Sequence, residues 1–173
     1  MTITIRRATR DDAETIVGLI RQLAKSQNIE NSSKSYGSDV RLLLQNTDIS
    51  RQGEGRVWDH RFLHAWLAES TDDSAVGYAM GFYGGFSSFA LNWDFCLIDL
   101  FVVPSVRRTG VGQRFLQYIA DEVFEHADAL LFEILEWNNE AVAFCAHSGG
   151  RYVGQRIQSN GQVWVQMKIE DED

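Results

Sequence analysis

The sequence is poor in proline, cysteine and basic residues. Its 173 residues contain one proline and two cysteines, and 16 Lys and Arg stand against 24 Asp and Glu, for a formal net charge of −8. Because nucleic acids are polyanions, this charge argues against a nucleic-acid partner. Long apolar runs and a signal-peptide pattern are also missing, so we expect no membrane partner. Cys96 and Cys145 lack metal-ligand spacing, which favours reduced thiols, no metal and a cytoplasmic location.

The remaining composition is that of an ordinary globular protein. Apolar residues make up 45% of the chain and charged residues 23%, proportions that are typical of a folded domain. At this length the simplest organisation is one domain over residues 1–173 with a sizeable core. The negative field favours a cationic substrate such as an amine, or it serves solubility alone, which is the more general explanation.

Hydrophobic periodicity predicts alternating strands and helices along the chain. Thr9 or Asp11 is expected to cap the first helix, and the dipeptide Asn160-Gly161 predicts a β-hairpin near the C-terminus. This order of elements indicates an α/β fold built on a mixed sheet. The predicted strands are residues 2–6, 62–69, 75–86, 93–103, 130–135, 151–156 and 163–169, and the predicted helices contain residues 16–24, 40–44, 111–124 and 140–147.

The stretch from Val102 to Gln113 organises the rest of the chain. Leu97-Ile98-Asp99-Leu100-Phe101 predicts a buried strand, and the apolar spacing after Gly110 predicts a helix. Two glycines at the helix start let the backbone approach a ligand, and the unpaired amides and the helix dipole suit a phosphate or pyrophosphate. Arg107 and Arg108 can add charge-assisted bonds at the rim. Taken alone, these residues equally fit a plain strand-to-helix turn that needs glycine.

Three motifs resemble those of the GNAT N-acetyltransferase superfamily. The spacing Arg107-x-x-Gly110-x-Gly112, after Leu-Phe-Val-Val-Pro, resembles the acetyl-CoA pyrophosphate loop of that family, Arg/Gln-x-x-Gly-x-Gly/Ala. Residues 136–145, followed by two glycines, resemble its second cofactor stretch, Glu-Trp-Asn-x-x-Ala/Ser-x-x-Phe-Tyr. Residues 5–25 are similar to the opening of the diamine (spermidine/spermine, thialysine) acetyltransferase branch, and the resemblance extends to residue 169.

The resemblance implies a single GNAT-like α/β (α+β) domain that binds acetyl-CoA. Its central sheet would be mixed, mostly antiparallel, flanked by helices and splayed at the acetyl-CoA site, and a homodimer is expected. A backbone N–H among residues 101–103 would stabilise the oxyanion. By their own pattern, Asn138 is also a helix cap and Phe144 a core residue. The implied cofactor contacts are Leu100, Phe101, Val102, Val103, Arg107, Arg108, Thr109, Gly110, Val111, Gly112, Gln113, Asn138, Ala141 and Phe144.

Two residues are candidates for catalysis, and each has a structural alternative. Asp99 is a candidate base for the attacking amine, or otherwise a satisfied structural carboxylate. Cys145 stands where the diamine branch has a tyrosine that is thought to protonate the leaving thiolate. A thiol could donate that proton, although a buried cysteine is more often a small hydrophobic residue.

The residues expected to recognise the acceptor match the diamine branch less closely than the cofactor motifs do. Ile98 replaces a strand glutamate of that branch, and Ser26-Gln27 replaces an aromatic-acidic pair of its polyamine site, so a polyamine acceptor does not follow. Tyr83 and Trp93 are candidates to hold a cationic acceptor by their ring faces, or they belong to the core. Glu133 is a candidate to bind the ammonium group, or an exposed carboxylate at a sheet edge.

The sequence therefore predicts an acetyl-CoA-dependent N-acetyltransferase that acts on a primary amine of a small molecule. One alternative is a catalytically weak domain that binds or senses acyl-CoA, which the changed tyrosine and glutamate positions favour. The other alternative is a protein N-acetyltransferase, which an open acidic groove would suit.

Overall fold

A computed structural model describes residues 2–27, 63–72, 74–87 and 92–170. Within these ranges the strands are β1 (Ile3–Arg7), β2 (His64–Ser70), β3 (Ala75–Ser87), β4 (Asn92–Val102), β5 (Ala129–Leu135), β6 (Arg151–Ile157) and β7 (Val163–Glu170). The α-helices are α1 (Ala13–Ser26), α2 (Val111–Val123) and α3 (Asn139–His147). Two single 3-10 turns, Arg10–Asp12 and Pro104–Val106, precede α1 and α2.

The strands form one mixed sheet in the order β1-β2-β3-β4-β5-β7-β6. Four of its neighbouring pairs are antiparallel: β1 with β2, β2 with β3, β5 with β7, and β6 with β7. β4 and β5 are parallel, with Asp94 opposite Ala129 and Leu97 opposite Phe132, and α2 supplies the crossover that a parallel pair needs. The predicted α/β fold on a mixed sheet is confirmed, whereas its splay at the acetyl-CoA site stays a prediction.

The start of the first helical segment is fixed by hydrogen bonds from its own residues. The Thr9 N–H donates to Asp12 Oδ2 at 2.7 Å, and the Asp11 N–H donates to Thr9 Oγ1 at 3.3 Å, which is a capping box. Arg6 on β1 donates to the Asp12 carboxylate at 2.8 Å and to Glu69 on β2 at 2.6 Å. Of the two predicted capping residues, Thr9 caps the 3-10 turn Arg10–Asp12 that leads into α1. The helix α1 itself follows Asp12 without a side-chain cap.

Two compact units divide the chain, and β3, β4 and α2 each contribute residues to both. The first unit comprises residues 1–82 and 99–115, and the second comprises residues 83–98 and 116–173. In the first, α1 packs on β2, β3 and the end of β4 through the buried residues Ala13, Ile16, Val17, Leu19, Leu67, Tyr78, Met80 and Phe101. Buried residues of the second unit include Phe95, Ile119, Val123, Leu130, Phe132, Leu135 and Met167. The prediction of a single domain stays a prediction.

A hairpin joins β6 to β7, as the Asn160-Gly161 pair predicts. Gly161 has a φ of 81°, a left-handed conformation that glycine adopts without steric cost. Its N–H donates to the Gln158 carbonyl at 2.9 Å, and the Gln158 N–H donates to the Gln162 carbonyl at the same distance. The predicted hairpin is confirmed.

The other described strands begin and end within two residues of their predicted limits. The predicted helix at 40–44 lies outside the described residues, as do the loops expected at 28–38 and 47–59. No helix in the described part of the chain is both long and apolar enough to cross a membrane. The expected homodimer and the expected cytoplasmic location stay predictions.

Candidate active site

The loop between β4 and α2 has a left-handed backbone at two positions. Arg108 has a φ of 61° and Gly110 a φ of 82°. This conformation is uncommon for an arginine, and strain of this kind concentrates at functional sites. Thr109 Oγ1 donates to the carbonyl of the buried Val106 at 2.7 Å, which closes a turn within the loop.

The helix α2 begins directly after this loop. The Gly110 carbonyl accepts the Arg114 N–H at 3.1 Å, and the buried Val111 anchors the first turn. The first amides of a helix have no acceptor within it and lie at the positive end of its dipole. A Cβ added to Gly110 would meet no atom within 4 Å, so this position is open. The loop therefore fits a pyrophosphate, and the binding roles of residues 107–113, including Gly112 and Gln113, stay predictions.

The Arg107 side chain turns back onto β4. Its Nε donates to the Val102 carbonyl at 2.9 Å, and its guanidinium lies 5.6 Å from the centroid of the Phe101 ring, which is cation–π distance. Arg107 and Arg108 are both exposed, as expected for residues at a rim. Arg107 thus also ties the loop to the strand before it.

Strands β3 and β4 approach each other closely at the end of β4. A Cβ on Gly77 would lie only 2.7 Å from the Phe101 carbonyl oxygen, so a side chain is excluded there. The Val103 N–H donates to the Val76 carbonyl at 2.9 Å. This bond occupies the Val103 amide. The oxyanion donor expected among residues 101–103 stays a prediction.

Asp99 lies on β4 and is half-buried. The Tyr78 hydroxyl donates to Asp99 Oδ2 at 3.0 Å. Burial raises the pKa of Asp99, and the hydrogen bond from Tyr78 opposes that rise. A raised carboxyl pKa suits a general base that operates near neutral pH. Leu97 and Phe101 are buried while Ile98 is 49% exposed, so the predicted alternation of this strand holds.

Asn138 caps α3. Its Oδ1 accepts the Ala141 N–H at 3.3 Å, and its carbonyl accepts the Val142 N–H at 3.1 Å, so the predicted cap is confirmed. Ala141 and Phe144 are half-buried on α3. Phe144 is therefore not a fully enclosed core residue. The contacts of these residues with acetyl-CoA stay predictions, as does that of the half-buried Leu100.

Cys145 is enclosed by the turn that follows α3. The Gly150 N–H donates to the Cys145 carbonyl at 2.9 Å, and a Cβ on Gly150 would lie 2.5 Å from the Cys145 sulfur. Burial raises the pKa of this thiol to about 11. These surroundings favour the alternative of a small buried hydrophobic residue, and a proton-donating role for Cys145 stays a prediction.

Glu133 lies in the interior of the sheet. Its strand β5 is placed between β4 and β7, so the edge position considered from the sequence is wrong. Arg156 donates to the two Glu133 oxygens at 3.0 and 2.5 Å, and Gln166 donates at 3.1 Å. The Arg156 guanidinium holds the pKa of Glu133 below its usual range. A substrate ammonium would have to compete with Arg156 for this carboxylate.

The two aromatic acceptor candidates lie in the second unit. Tyr83 packs edge-on against Phe95 with ring centroids 4.9 Å apart, and its ring is 6.3 Å from that of His126. The Trp93 carbonyl accepts the Asp128 N–H at 2.9 Å, and the Trp93 N–H donates to the Asp128 carboxylate at 3.1 Å. Both rings are half-buried. The ring contacts of Tyr83 support a packing role for that residue. Contact of Tyr83 or Trp93 with an acceptor stays a prediction.

The candidate residues are divided between the two units. Asp99 and residues 107–113 belong to the first, and Cys145, Asn138 and Glu133 belong to the second. Sequence reasoning missed Gly77 as a close-approach glycine and Tyr78 as a partner of Asp99. The available signal was a Gly-Tyr pair inside a predicted strand, since glycine in a strand interior often marks close backbone approach.

Known proteins match this chain over nearly its whole length. Residues 29–149 match the sequence model of the acetyltransferase (GNAT) family. The thialysine N-epsilon-acetyltransferase of Mus musculus is 22% identical over 176 residues, covering 97% of this chain and 92% of that protein. The protein of the same name from Sus scrofa is also 22% identical, with 98% and 94% coverage.

Solved structures show the same fold. The PaiA N-acetyltransferase from Thermoplasma acidophilum, in complex with coenzyme A, matches with a TM-score of 0.73 at 12% identity, over 99% of this chain and 100% of that one. A chain of the NatC complex bound to Gag peptide and CoA matches with a TM-score of 0.72 at 14% identity, over 99% and 100%. At such identities the likeness concerns the fold alone.

Proposed function

The chain belongs to the acetyltransferase (GNAT) family, and from this premise we propose that it transfers an acetyl group directly to a primary amine of a small molecule. Family membership makes the chain an acetyltransferase with acetyl-CoA as its cosubstrate. The direct route, the small-molecule acceptor and the residue roles below are the proposal.

The acceptor class is supported by the curated relatives and by charge. Proteins named thialysine N-epsilon-acetyltransferase align with 97% and 98% of this chain, and that name describes acetylation of a side-chain amine on a free amino acid. The net charge of −8 also favours approach of a cationic amine. A small primary amine is therefore the acceptor that we propose.

The observation that carries the proposal is the half-buried carboxyl of Asp99 on β4, which accepts a hydrogen bond from Tyr78. Alkyl ammonium groups have a pKa near 10.4, so the acceptor must lose a proton before it can attack. Asp99 provides a carboxylate whose pKa burial has raised, and it lies two residues before Phe101 in the strand. We assign Asp99 the role of general base for the acceptor.

The remaining steps are assigned to the end of β4 and the loop. Acetyl-CoA supplies an activated acetyl thioester when bound. The amides at the start of α2 and the charges of Arg107 and Arg108 would hold its pyrophosphate. An amide of Phe101 or Val102 would stabilise the oxyanion that forms when the amine attacks. Water is proposed to protonate the leaving thiolate, because the Cys145 thiol is enclosed against the turn that follows α3.

Direct transfer has its own test. The protein is incubated with radiolabelled acetyl-CoA in the absence of any acceptor, and the label on the protein is measured after denaturation. We expect no stable label, because amine attack takes place on the thioester itself. Label that maps to Cys145 would replace direct transfer by an acetyl-enzyme route.

A second candidate is acetylation of a protein or peptide amine. The NatC structure that shares this fold holds a bound Gag peptide, so a peptide acceptor is included in the test. The test is release of CoA thiol from acetyl-CoA with thialysine, lysine, polyamines, aminoglycosides and a basic peptide. We expect release with one or more small amines. Release with the peptide alone would establish the second candidate, and CoA binding without release from any acceptor would refute both.

An Asp99→Asn variant tests the base in the same assay. General base catalysis contributes about 10²–10⁴-fold, so we expect kcat/KM for the best amine to fall by that factor while CoA affinity is unchanged. The exposed Asp121 on α2, hydrogen-bonded only to the Gln117 side chain among the described residues, provides the control variant Asp121→Asn. Equal activity of the Asp99 variant and the control would remove Asp99 as the base.

A further inference from the structure

Tyr78 is a buried polar side chain for which the reaction steps above have no use. Its ring lies in the apolar core of the first unit with no exposed surface, yet its hydroxyl reaches Asp99 Oδ2 at 3.0 Å. A buried hydroxyl needs a partner, but a carboxylate is a costly one to bury. The pair therefore demands an explanation beyond packing.

The two side chains lie on neighbouring strands whose backbones approach each other closely. Gly77, directly before Tyr78, allows β3 to approach the Phe101 carbonyl so closely that no Cβ would fit. The Val103 N–H bonds the Val76 carbonyl at 2.9 Å on the same two strands. The Tyr78 ring also contacts that of Phe101, with centroids 6.1 Å apart. The pairing of β3 with β4 thus places the Tyr78 phenol beside the stretch of β4 that carries the candidate oxyanion amides.

The surroundings of the pair are apolar. From α1, Ile16 and Leu19 pack into the cluster that contains Tyr78, and from β2 Leu67 does so. Within the described residues, no charged group contributes to the shift of the Asp99 pKa, which burial raises and Tyr78 lowers. Tyr78 is therefore the one described side chain that stabilises the Asp99 charge. Its own pKa is raised by burial and by Asp99, so it stays protonated and remains a donor.

The hydrogen bond from Tyr78 occupies Asp99 Oδ2 and leaves Oδ1 available. Asp99 Oδ1 has no hydrogen-bond partner among residues 2–27, 63–72, 74–87 and 92–170. Tyr78 holds Oδ2 as a donor and cannot accept the substrate's proton. The carboxylate therefore presents Oδ1 in a defined direction. Fixed orientation of a base by a third group is a recurring arrangement in enzymes.

We propose that Tyr78 is a positioning residue that holds Asp99 Oδ2, so that Oδ1 takes the proton from the acceptor ammonium. An N–H bond of the ammonium breaks, an O–H bond forms at Oδ1, and the electron pair stays on nitrogen, which becomes the nucleophile. Tyr78 keeps its own proton throughout. This inference rests on the proposed function, since it assumes that Asp99 is the base.

The test compares pH profiles of kcat/KM for the wild type, Tyr78→Phe and Asp99→Asn with the best amine of the panel. In the wild type the acidic limb reports the ionisation of Asp99. A hydrogen bond to a charged group is strong enough that its loss corresponds to about one to two pKa units. We therefore expect the acidic limb of Tyr78→Phe to move up by about that amount, because the carboxylate has lost its donor. Tyr152→Phe, at an exposed tyrosine of β6, is the matched control and should not move the limb.

A second substitution keeps the proposal testable if Tyr78→Phe folds poorly. Incorporation of 3-fluorotyrosine at Tyr78 preserves the shape of the ring and makes the hydroxyl a stronger donor. It should move the acidic limb down, opposite to the phenylalanine variant, whereas a purely structural role would give no shift with either. If the acidic limb is absent in Asp99→Asn but stays in place in both Tyr78 variants, the positioning role of Tyr78 is refuted and Asp99 remains the assigned base. A limb that persists in Asp99→Asn would instead overturn the assignment of Asp99 as base.

Discussion

Replacement of Gly77 by alanine should damage the junction of β3 and β4. The added Cβ would lie 2.7 Å from the Phe101 carbonyl oxygen and 3.5 Å from the Val102 Cα. Carbon–oxygen contacts between adjacent strands are normally about 3.3–3.6 Å, so the strands would have to separate by about 0.6–0.9 Å. The Phe101 carbonyl oxygen is a backbone atom, so it cannot rotate away from the added Cβ as a side-chain atom could.

The cost follows from two contributions. Overpacking of a close contact typically costs about 1–3 kcal/mol. The separation would also stretch the 2.9 Å hydrogen bond between the Val103 N–H and the Val76 carbonyl, which adds about 1 kcal/mol. We expect Gly77→Ala to lose about 2–4 kcal/mol of unfolding free energy, or roughly 5–15 °C in Tm for a chain of this size. Because Asp99 and Phe101 lie on the displaced strand, acetyl transfer should fall as well.

The assay is urea unfolding together with acetyl transfer, measured on Gly77→Ala and on a matched glycine variant. Gly18 lies within α1, and a Cβ there would meet no atom within 4 Å. Gly18→Ala should therefore be neutral or gain about 0.5–1 kcal/mol from helix propensity. If Gly77→Ala unfolds at the wild-type urea concentration and keeps full activity, the close approach of β3 and β4 is wrong.

Three further predictions concern the loop, the thiol and the first helix. Gly110→Asp should weaken CoA binding in a thermal-shift or calorimetric titration, because it places negative charge at the pyrophosphate; Gly161→Asp carries the same left-handed strain in an open hairpin and should bind normally. Cys145→Ala should retain kcat within a few-fold, whereas a loss of about 10²-fold or more would restore the acid role. Asp12→Asn should cost about 1–2 kcal/mol in unfolding at pH 7, a value reduced for the exposure of Arg6. The hydrogen bonds of Arg6 lower the Asp12 pKa from 3.8 to about 2. The stability that this ion pair contributes is therefore present above pH 4 and is lost as pH falls through about 2. A stability difference between Asp12→Asn and the wild type that does not change with pH would contradict the role of the ion pair.

The periodic parts of the fold were predictable from the sequence because single strands and helices follow local patterns. Alternation over residues 163–169 and the Asn160-Gly161 turn gave β7 and its hairpin to within a residue. The capping residues Thr9 and Asn138 were predictable for the same reason, since a cap bonds to amides two or three positions along the chain. The order of the strands in the sheet was not predictable from these local patterns. The place of β5 between β4 and β7 depends on non-local pairing, and this is why Glu133 was wrongly considered for an edge.

The loop at residues 107–112 was also accessible from the sequence, because glycine spacing reflects local backbone conformation. Gly110 adopts the left-handed conformation that glycine favours. The left-handed φ of Arg108 was not predictable, since nothing in the residue type requires it. Arg107 was expected at the rim and is exposed there, but its hydrogen bond to the Val102 carbonyl emerges only once the loop has folded back over the strand.

The environment of Asp99 shows why catalytic assignments are harder than motif assignments. From the sequence, Asp99 is a carboxylate on a buried strand, and that description fits a base and a structural residue equally well. Burial raises the pKa of Asp99, and the hydrogen bond from Tyr78 opposes that rise. Tyr78 is 21 positions away in the sequence and reaches Asp99 through the β3–β4 pairing that Gly77 permits. The apolar cluster from α1 then decides how much that single hydrogen bond matters, because fewer polar neighbours leave more of the charge to one donor. A change in any of the three elements would alter the surroundings of Asp99 without altering the motif. If Asp99 is the base, activity should therefore be more sensitive to Gly77 and Tyr78 than their distance from the loop sequence suggests.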